Sequence, residues 1–431
     1  MVSVSVSGGS TFQAAAPLLA LSSLSPRPLR YAVLGAGFAG LSVTWHLLKL
    51  CPKDVPIRID IYDEAGIGGG ASGVAGGLLH PYSPKVKLLW KGAECWAECL
   101  KLLSVAESAL HPKELDSEMD ECQNMNELIV LRRGILRPAI SSKNLVVLKE
   151  NAQNGLDSCR IETIDEDAAR NLVPELYVPL NTAFYMPQAV NINSQRYLEA
   201  LFIACENLTK ETSTSGFGHK ELYLQKKSID KLHGLEGTYD AVIVCLGAKM
   251  VMLPELAGKL PLRTCRGVVA HFQLHDDISN AYPGLGPSIL SDAWLAIRGP
   301  RSLYMGSTWE WKSTNSSPEV SEEESSRAVA ELLPKVSAIY PSIKEWSFIR
   351  ARGGLRAMPP LTPHGSLPLM GCIDEIVRHN SSCKYWVFGG LGSRGLLYHG
   401  WLGKLTAQAV LSCNDELIPS ELTSWKKIMN S

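Results

Sequence analysis

The apolar positions of this chain fall into short unbroken runs, separated by stretches with helical spacing. Tyr31-Ala32-Val33-Leu34 is one such run, ended by Gly35, and it reads as a buried strand. The residues after Gly37 stay apolar to about Leu50 and read as a helix packed in a core. Ile57-Arg58-Ile59-Asp60-Ile61-Tyr62 gives a second strand. Ala241-Val242-Ile243-Val244-Cys245-Leu246, closed by Gly247, is apolar throughout and belongs at the centre of a covered sheet. Val268 to Leu274 alternates weakly, as a solvent-facing antiparallel strand would.

Helical spacing recurs further along. Leu88, Leu89, Ala93, Trp96, Ala97 and Leu100 mark an amphipathic helix. Asn193 is placed to cap a helix carrying Tyr197, Leu198, Leu201 and Phe202. Ser321-Glu322-Glu323-Glu324 opens another, with acids where the macrodipole favours them, so the acid run is a helix start rather than a binding patch. The last helix is expected from about Tyr398 to Ser412. Arg132-Arg133-Gly134, between Glu127–Leu131 and Ile135–Leu136, predicts a hairpin. The pattern is α/β: a dinucleotide fold interrupted by sheet-rich segments and resumed at the C-terminus.

The first strand, its glycine turn and the following helix carry candidate chemistry. Gly35 lets the chain turn, Gly37 lets the backbone approach a pyrophosphate, and Gly40 lets helix and strand pack closely. Ala36 and Phe38 lie within the same turn, whose helix N-terminus offers unpaired N–H groups. Asp63 closes the second strand, placed to accept hydrogen bonds from a ribose, with Glu64 beside it. Residues Gly66 to Gly77 hold too many glycines for a stable helix or strand and are expected to wrap closely around a ligand.

Composition narrows the class. The 431 residues allow two domains or one with an inserted module, and a net charge of −1 gives no global attraction to nucleic acid or an anionic membrane. The 11 cysteines show no CxxC spacing, which points to free, buried thiols rather than disulfides or zinc. The apolar run from Ala32 to Leu48 contains three glycines of a strand-turn signature and so reads as core, not as a membrane span. Residues 1–29 are serine-rich and free of acids, as in a plastid transit peptide; a mitochondrial presequence would want more arginine.

Four motifs in order give the chain a resemblance to the FAD-dependent D-amino-acid oxidase superfamily, of which glycine and sarcosine oxidases are members. The closest look is to the FAD domain of the bacterial bifunctional enzyme that modifies tRNA wobble uridines. The motifs are Gly35–Gly40 with Asp63; Gly69-Gly70-Ala71-Ser72-Gly73 through Gly77-Leu78-Leu79-His80-Pro81; Gly353-Gly354-Leu355-Arg356 with Thr362-Pro363; and Gly390-Leu391-Gly392-Ser393-Arg394-Gly395-Leu396. The resemblance implies a Rossmann-like, glutathione-reductase-type FAD domain over 30–105, 185–255 and 353–425. A substrate domain on a mixed or antiparallel sheet would span 106–184 and 256–352.

It also implies roles. Ala71 and Ser72 would meet the diphosphate, Gly77 and Leu78 the flavin ring, and Gly390, Gly392, Ser393, Gly395 and Leu396 the pyrimidine end, with Gly247 assigned to the same cofactor site. Arg394 would contact flavin or substrate, or remain a surface cation. Arg356 resembles the arginine that holds the substrate carboxylate, with Arg350 and Arg352 as competitors and an ordinary salt bridge as the plain alternative. Trp294 stands where glycine oxidase has a tyrosine, either at the site or in the core. Ala357 stands where sarcosine oxidase carries its flavin-linking cysteine, so the FAD is expected to be noncovalent.

The leading expectation is oxidation of an amino acid or secondary amine, with oxygen or another acceptor reoxidising the flavin. A 2-hydroxy acid substrate would require a base such as His80 or His399. Wobble-uridine modification would require a basic channel leading to the flavin, and a non-catalytic flavoprotein would have a closed pocket or lack Arg356.

Overall fold

The computed structural model describes residues 27–110, 128–214, 218–278, 281–377 and 382–429; the leader expected over 1–29 lies almost wholly outside the described residues. Two sheets carry the fold, their strands numbered in chain order. The first holds β1 (Leu29–Leu34), β2 (Ile57–Tyr62), β7 (Lys220–Gln225), β8 (Ala241–Val244), β17 (Leu369–Cys372) and β18 (Lys384–Gly389), in the order β17-β18-β8-β1-β2-β7. Its strands run parallel, except that β17 is antiparallel to β18 at one edge.

From Tyr31 to Leu34 and from Ala241 to Val244 every residue is buried. Tyr31 and Val33 pack under α1 (Phe38–Leu50), α6 (Ser194–Thr214) and α9 (Gly395–Ser412), while Ala32 and Leu34 join Leu232, Leu253 and Trp425 on the other face. Both faces are covered, which is why these runs carry no polar alternation. Helix α1 is buried along most of its length. It crosses α9 so closely that a Cβ on Gly403 would lie 2.2 Å from Ser42 Oγ. Among the described residues no helix is long and apolar enough to cross a membrane.

The second sheet holds β3 (Leu78–Leu79), β4 (Val130–Pro138), β5 (Glu162–Ile164), β6 (Ala183–Ile192), β9 (Arg263–Gln273), β10 (Ser288–Leu290), β11 (Trp294–Gly299), β12 (Ser302–Gly306), β13 (Glu310–Trp311) and β14 (Ser347–Met358). The order is β13-β9-β12-β11-β10-β4-β6-β3, with β14 also on β9 and β5 on β6. A small hairpin of β15 (Leu361–Thr362) and β16 (Gly365–Ser366) follows β14. Helix α2 (Ala71–Val74) lies in the glycine loop and α3 (Gly92–Leu110) packs with α6 and α9. Helices α4 (Ser142–Ala152) and α5 (Glu166–Leu172) lie between β4 and β6, and α7 (Glu322–Ser337) precedes β14. Asn193 Oδ1 accepts from Arg196 N at the start of α6 (3.3 Å), and Ser321 Oγ from Glu324 N at the start of α7 (3.2 Å).

Several expectations are corrected. Arg132-Arg133-Gly134 is not a hairpin turn but lies inside β4, where bulges against β6 absorb the irregularity. Strand β9 is antiparallel but not solvent-facing: Cys265 to Ala270 is buried between β12, β13 and β14. The amphipathic helix begins at Gly92, after Leu88 and Leu89, and α9 begins at Gly395 rather than Tyr398. Helix α9 is not the last: after α8 (Asp374–Val377) and α9 come α10 (Ser420–Thr423) and α11 (Trp425–Met429), the latter tied by Trp425 Nε1 donating to the Met370 carbonyl (3.0 Å). The expected domain limits at 185 and 353 fall inside β6 and β14, both in the second sheet. The described cysteines are free thiols, most of them buried.

Candidate active site

A cavity of about 1060 Å³ opens where the β1 turn, the 63–78 loop, β14 and the 389–396 turn converge. At one end, Gly35 has φ +106°, and a Cβ there would lie 2.5 Å from the Cys245 carbonyl oxygen. A Cβ on Gly40 would lie 1.8 Å from the Gly35 carbonyl oxygen. Gly35, Gly37, Phe38, Asp63, Glu64 and Gly247 line this end, whereas Ala36 and Gly40 lie behind it.

Asp63 is not free to serve a ligand alone. Its Oδ2 accepts from Ala36 N (2.9 Å) and its Oδ1 from Ala65 N (3.0 Å), so the carboxylate closes the glycine turn and retains further acceptor capacity. Glu64 pairs with Lys249, which holds its carboxyl below the usual range. Ser72 Oγ accepts from Phe38 N (3.1 Å), pinning α2 to the start of α1. Ala71, Ser72, Gly77 and Leu78 line the cavity, as do Gly390, Gly392, Ser393, Arg394, Gly395 and Leu396. Gly77 has φ +84°, and its missing side chain makes room for the Ile192 carbonyl rather than for a ligand.

Arg356 also lines the cavity. Its Nη2 donates to the Thr308 carbonyl (2.8 Å), its Nη1 to Ser307 Oγ (3.3 Å) and its Nε to the Cys265 carbonyl (3.4 Å). The guanidinium lies 4.1 Å from the Trp309 ring centre. Every one of these partners is neutral, and among the described residues no carboxylate pairs with Arg356, so it is not part of an ordinary salt bridge. Burial pulls its pKa down, and the Cys265 thiol partly opposes that. The ring of Trp294 also lines the cavity, 2.4 Å from where a Cβ on Gly76 or on Gly306 would stand. It is therefore both packed and at the site.

His80, Arg137 and Arg394 also line the cavity. Burial, then Arg394 and Arg137, push the His80 pKa down to about 3. Arg137 is buried, donates from Nη1 to the Leu290 carbonyl (3.3 Å) and leaves Nε without a partner. Arg394 is not a surface cation: burial lowers its pKa, and no described carboxylate pairs with it. His399 lies outside the cavity, accepting at Nε2 from the Tyr197 hydroxyl (2.7 Å) and donating from Nδ1 to the Leu396 carbonyl (2.8 Å). His364 sits exposed on the β15–β16 hairpin.

Arg350 and Arg352 are on the same face of β14 as Arg356 but do not reach this cavity. A Cβ on Gly354 would lie 3.0 Å from Ala71 Cα, so α2 sits on the strand at Gly354 and divides its face in two. Arg137, Ser307 and Trp309 were missing from the sequence reading. Ser307 and Trp309 follow β12 directly, while Arg137 lies one residue past the expected hairpin.

The family model for FAD dependent oxidoreductases matches residues 30–409. The chain belongs to this family of FAD-dependent oxidoreductases. An uncharacterized oxidoreductase of Bacillus subtilis, YurR, is 22% identical over 391 residues, covering 90% of this chain and 96% of its own. Glycine oxidase from Geobacillus kaustophilus has a similar fold, with a TM-score of 0.67 at 16% identity, covering 92% of this chain and 98% of its own. Iminodiacetate oxidase from Chelativorans sp. BNC1 gives a TM-score of 0.65 at 17% identity, covering 91% and 98%.

The cavity suits the FAD of this family. Helices α1 and α9 both open onto it, and neither N-cap residue, Gly37 or Arg394, caps with its own side chain. Phe38 N is taken by Ser72 Oγ, and the remaining first-turn N–H groups are available to an anionic diphosphate and an electron-rich ring. Gly35 and Gly37 present bare backbone, and Arg394 supplies an uncompensated cation. Ala357 offers no thiol. Cys245, which lines the cavity, has its thiol pKa raised by burial.

Proposed function

We propose that this FAD-dependent oxidoreductase oxidises the C–N bond of an amino acid or a carboxylate-bearing secondary amine. The observation that carries this is Arg356: a guanidinium fixed by neutral partners, stacked on Trp309, and facing the cavity with its charge unmatched. Such a planar cation binds a carboxylate through two parallel hydrogen bonds and so fixes the orientation of whatever bears it. When bound, FAD supplies the two-electron acceptor. Trp294 and Leu78 form apolar cavity wall, and the donors at the start of α9 would favour negative charge on a flavin ring held beside them. Glycine oxidase and iminodiacetate oxidase, whose names give amino-acid substrates, share the fold.

The competing readings are weaker. A 2-hydroxy acid oxidase needs a base for the hydroxyl proton, but His399 is committed outside the cavity and His80 is a poor base at a pKa of about 3. A non-catalytic flavoprotein would not keep Arg356 in an open cavity. Oxygen or another electron acceptor completes the proposed cycle.

Anaerobic mixing of the FAD-loaded protein with amino acids, secondary amines and hydroxy acids tests the reading through the flavin band at about 450 nm. Bleaching is expected with a carboxylate-bearing amine. Bleaching by hydroxy acids alone, or by amines regardless of a carboxylate, would overturn it.

A further inference from the structure

Beyond α2, the same face of the second sheet bears another pocket. It holds about 50 Å³ and is lined by Arg298, Arg350, Arg352, His271 and Tyr304, with the start of α6 at one side. It shares Val74, Ala75 and Val269 with the large cavity, so the α2 loop is a wall common to both. Among the described residues none of the three guanidiniums makes a hydrogen bond or ion pair; Arg298 only stacks on Tyr304, 4.6 Å from the ring centre. His271 donates or accepts at Nε2 with Ser302 Oγ (2.9 Å) and leaves a buried Nδ1 without a partner. The nearest acid on α6, Glu199, is already engaged by Gln195 Nε2 (2.9 Å) and Arg196 (3.6 Å).

Like charges brought this close repel unless an anion joins them. Burial lowers the pKa of both Arg298 and His271, and Arg350 pushes each further down. A water needs about 10–15 Å³ of such space, so this pocket suits a single tetrahedral oxoanion and no ring. Guanidinium forks match that geometry. Arg350 and Arg352 are exposed, which leaves a way out for a substituent on the anion.

We propose that this pocket is a phosphate-binding site, distinct from the flavin cavity and separated from it by α2. Free phosphate and a phosphate monoester share the chemistry that would be recognised.

The test is calorimetric titration of FAD-saturated protein at constant ionic strength, once with inorganic phosphate and once with glycerol phosphate. Filling the flavin site beforehand removes its own phosphate-binding surface. Saturable one-site binding is expected, with Kd raised at least tenfold in Arg298→Gln and in the more exposed Arg350→Gln, and unchanged in Arg356→Gln. A monoester binding tighter than phosphate identifies the esterified source; equal affinity identifies the free ion. Absence of saturation, or affinity unchanged in both Arg298→Gln and Arg350→Gln, overturns the proposal, as does loss in Arg356→Gln alone.

Discussion

Arg356 is held by its neighbours in a way that a replacement cannot reproduce. Three of its nitrogens donate to Cys265, Ser307 and Thr308, and its flat face lies on Trp309. A glutamine keeps some polar contact but loses both the charge and the fork. Hydrogen bonds to a charged group contribute about 1.5–3 kcal/mol. Arg356→Gln is therefore expected to raise KM for a carboxylate-bearing amine roughly 10- to 150-fold, while the FAD content stays at the wild-type level. A normal KM in this variant would remove Arg356 from substrate binding. The arginine was legible in the sequence because it follows the Gly353-Gly354 motif as the family's carboxylate-binding arginine does; Arg137 was not, because only the β4–β10 pairing brings it to the cavity. His399 misled in the opposite way: it sits one turn into a helix whose start lines the cavity, yet its ring faces Tyr197.

At the scale of elements, strands and helices with an unbroken pattern were the legible ones. Strand β2 matches its expected limits, and α1 and α7 start where the glycine turn and the serine cap place them. Strand β4 was not legible, since a bulge and a hairpin turn both use Gly at positive φ, here +88° at Gly134. The α2 loop was expected to wrap a ligand and lines the cavity, but its fit to the sheets was not legible. Gly77 shows what that fit requires: a Cβ there would lie 1.9 Å from the Ile192 carbonyl oxygen, on a backbone with φ +84°. Gly77→Ala should cost at least about 2 kcal/mol and reduce retained FAD, because the loop can relieve the clash only by leaving β6. Wild-type melting and full flavin content would count against this. Ser321→Ala is the contrasting change. It deletes the cap on Glu324 N at a residue that does not itself line the cavity, although Ser316 to Pro318 just before it do. About 1 kcal/mol of stability should be lost with flavin binding and substrate KM unaltered.

The whole molecule carries its buried histidines as a shared liability in acid. His46 and His399 are held down to a pKa of about 4 and His80 to about 3, burial being the largest cause in each. In the unfolded chain these groups titrate at about 6.5. Below that pH the unfolded state takes up protons that the folded state refuses until its own lower pKa is reached. Stability is thus fully present above about pH 6.5 and falls as the pH drops toward 4, with each histidine approaching about 1.4 kcal/mol per pH unit. Protonation of His399 has a second cost, since its Nε2 is the acceptor for the buried Tyr197 hydroxyl. Urea unfolding of the FAD-saturated protein from pH 7.5 to 4.5 should show this steep decline. In His399→Gln the unfolding free energy should be lower at pH 7.5, yet fall less steeply below pH 6.5 by about one histidine's share. A profile flat between pH 6.5 and 5 would mean that these rings take up protons in the folded protein as readily as in the unfolded chain. Burial would then not be what sets their titration, and the closeness of α1, α6 and α9 around His399 would have to be relaxed by water that reaches its ring.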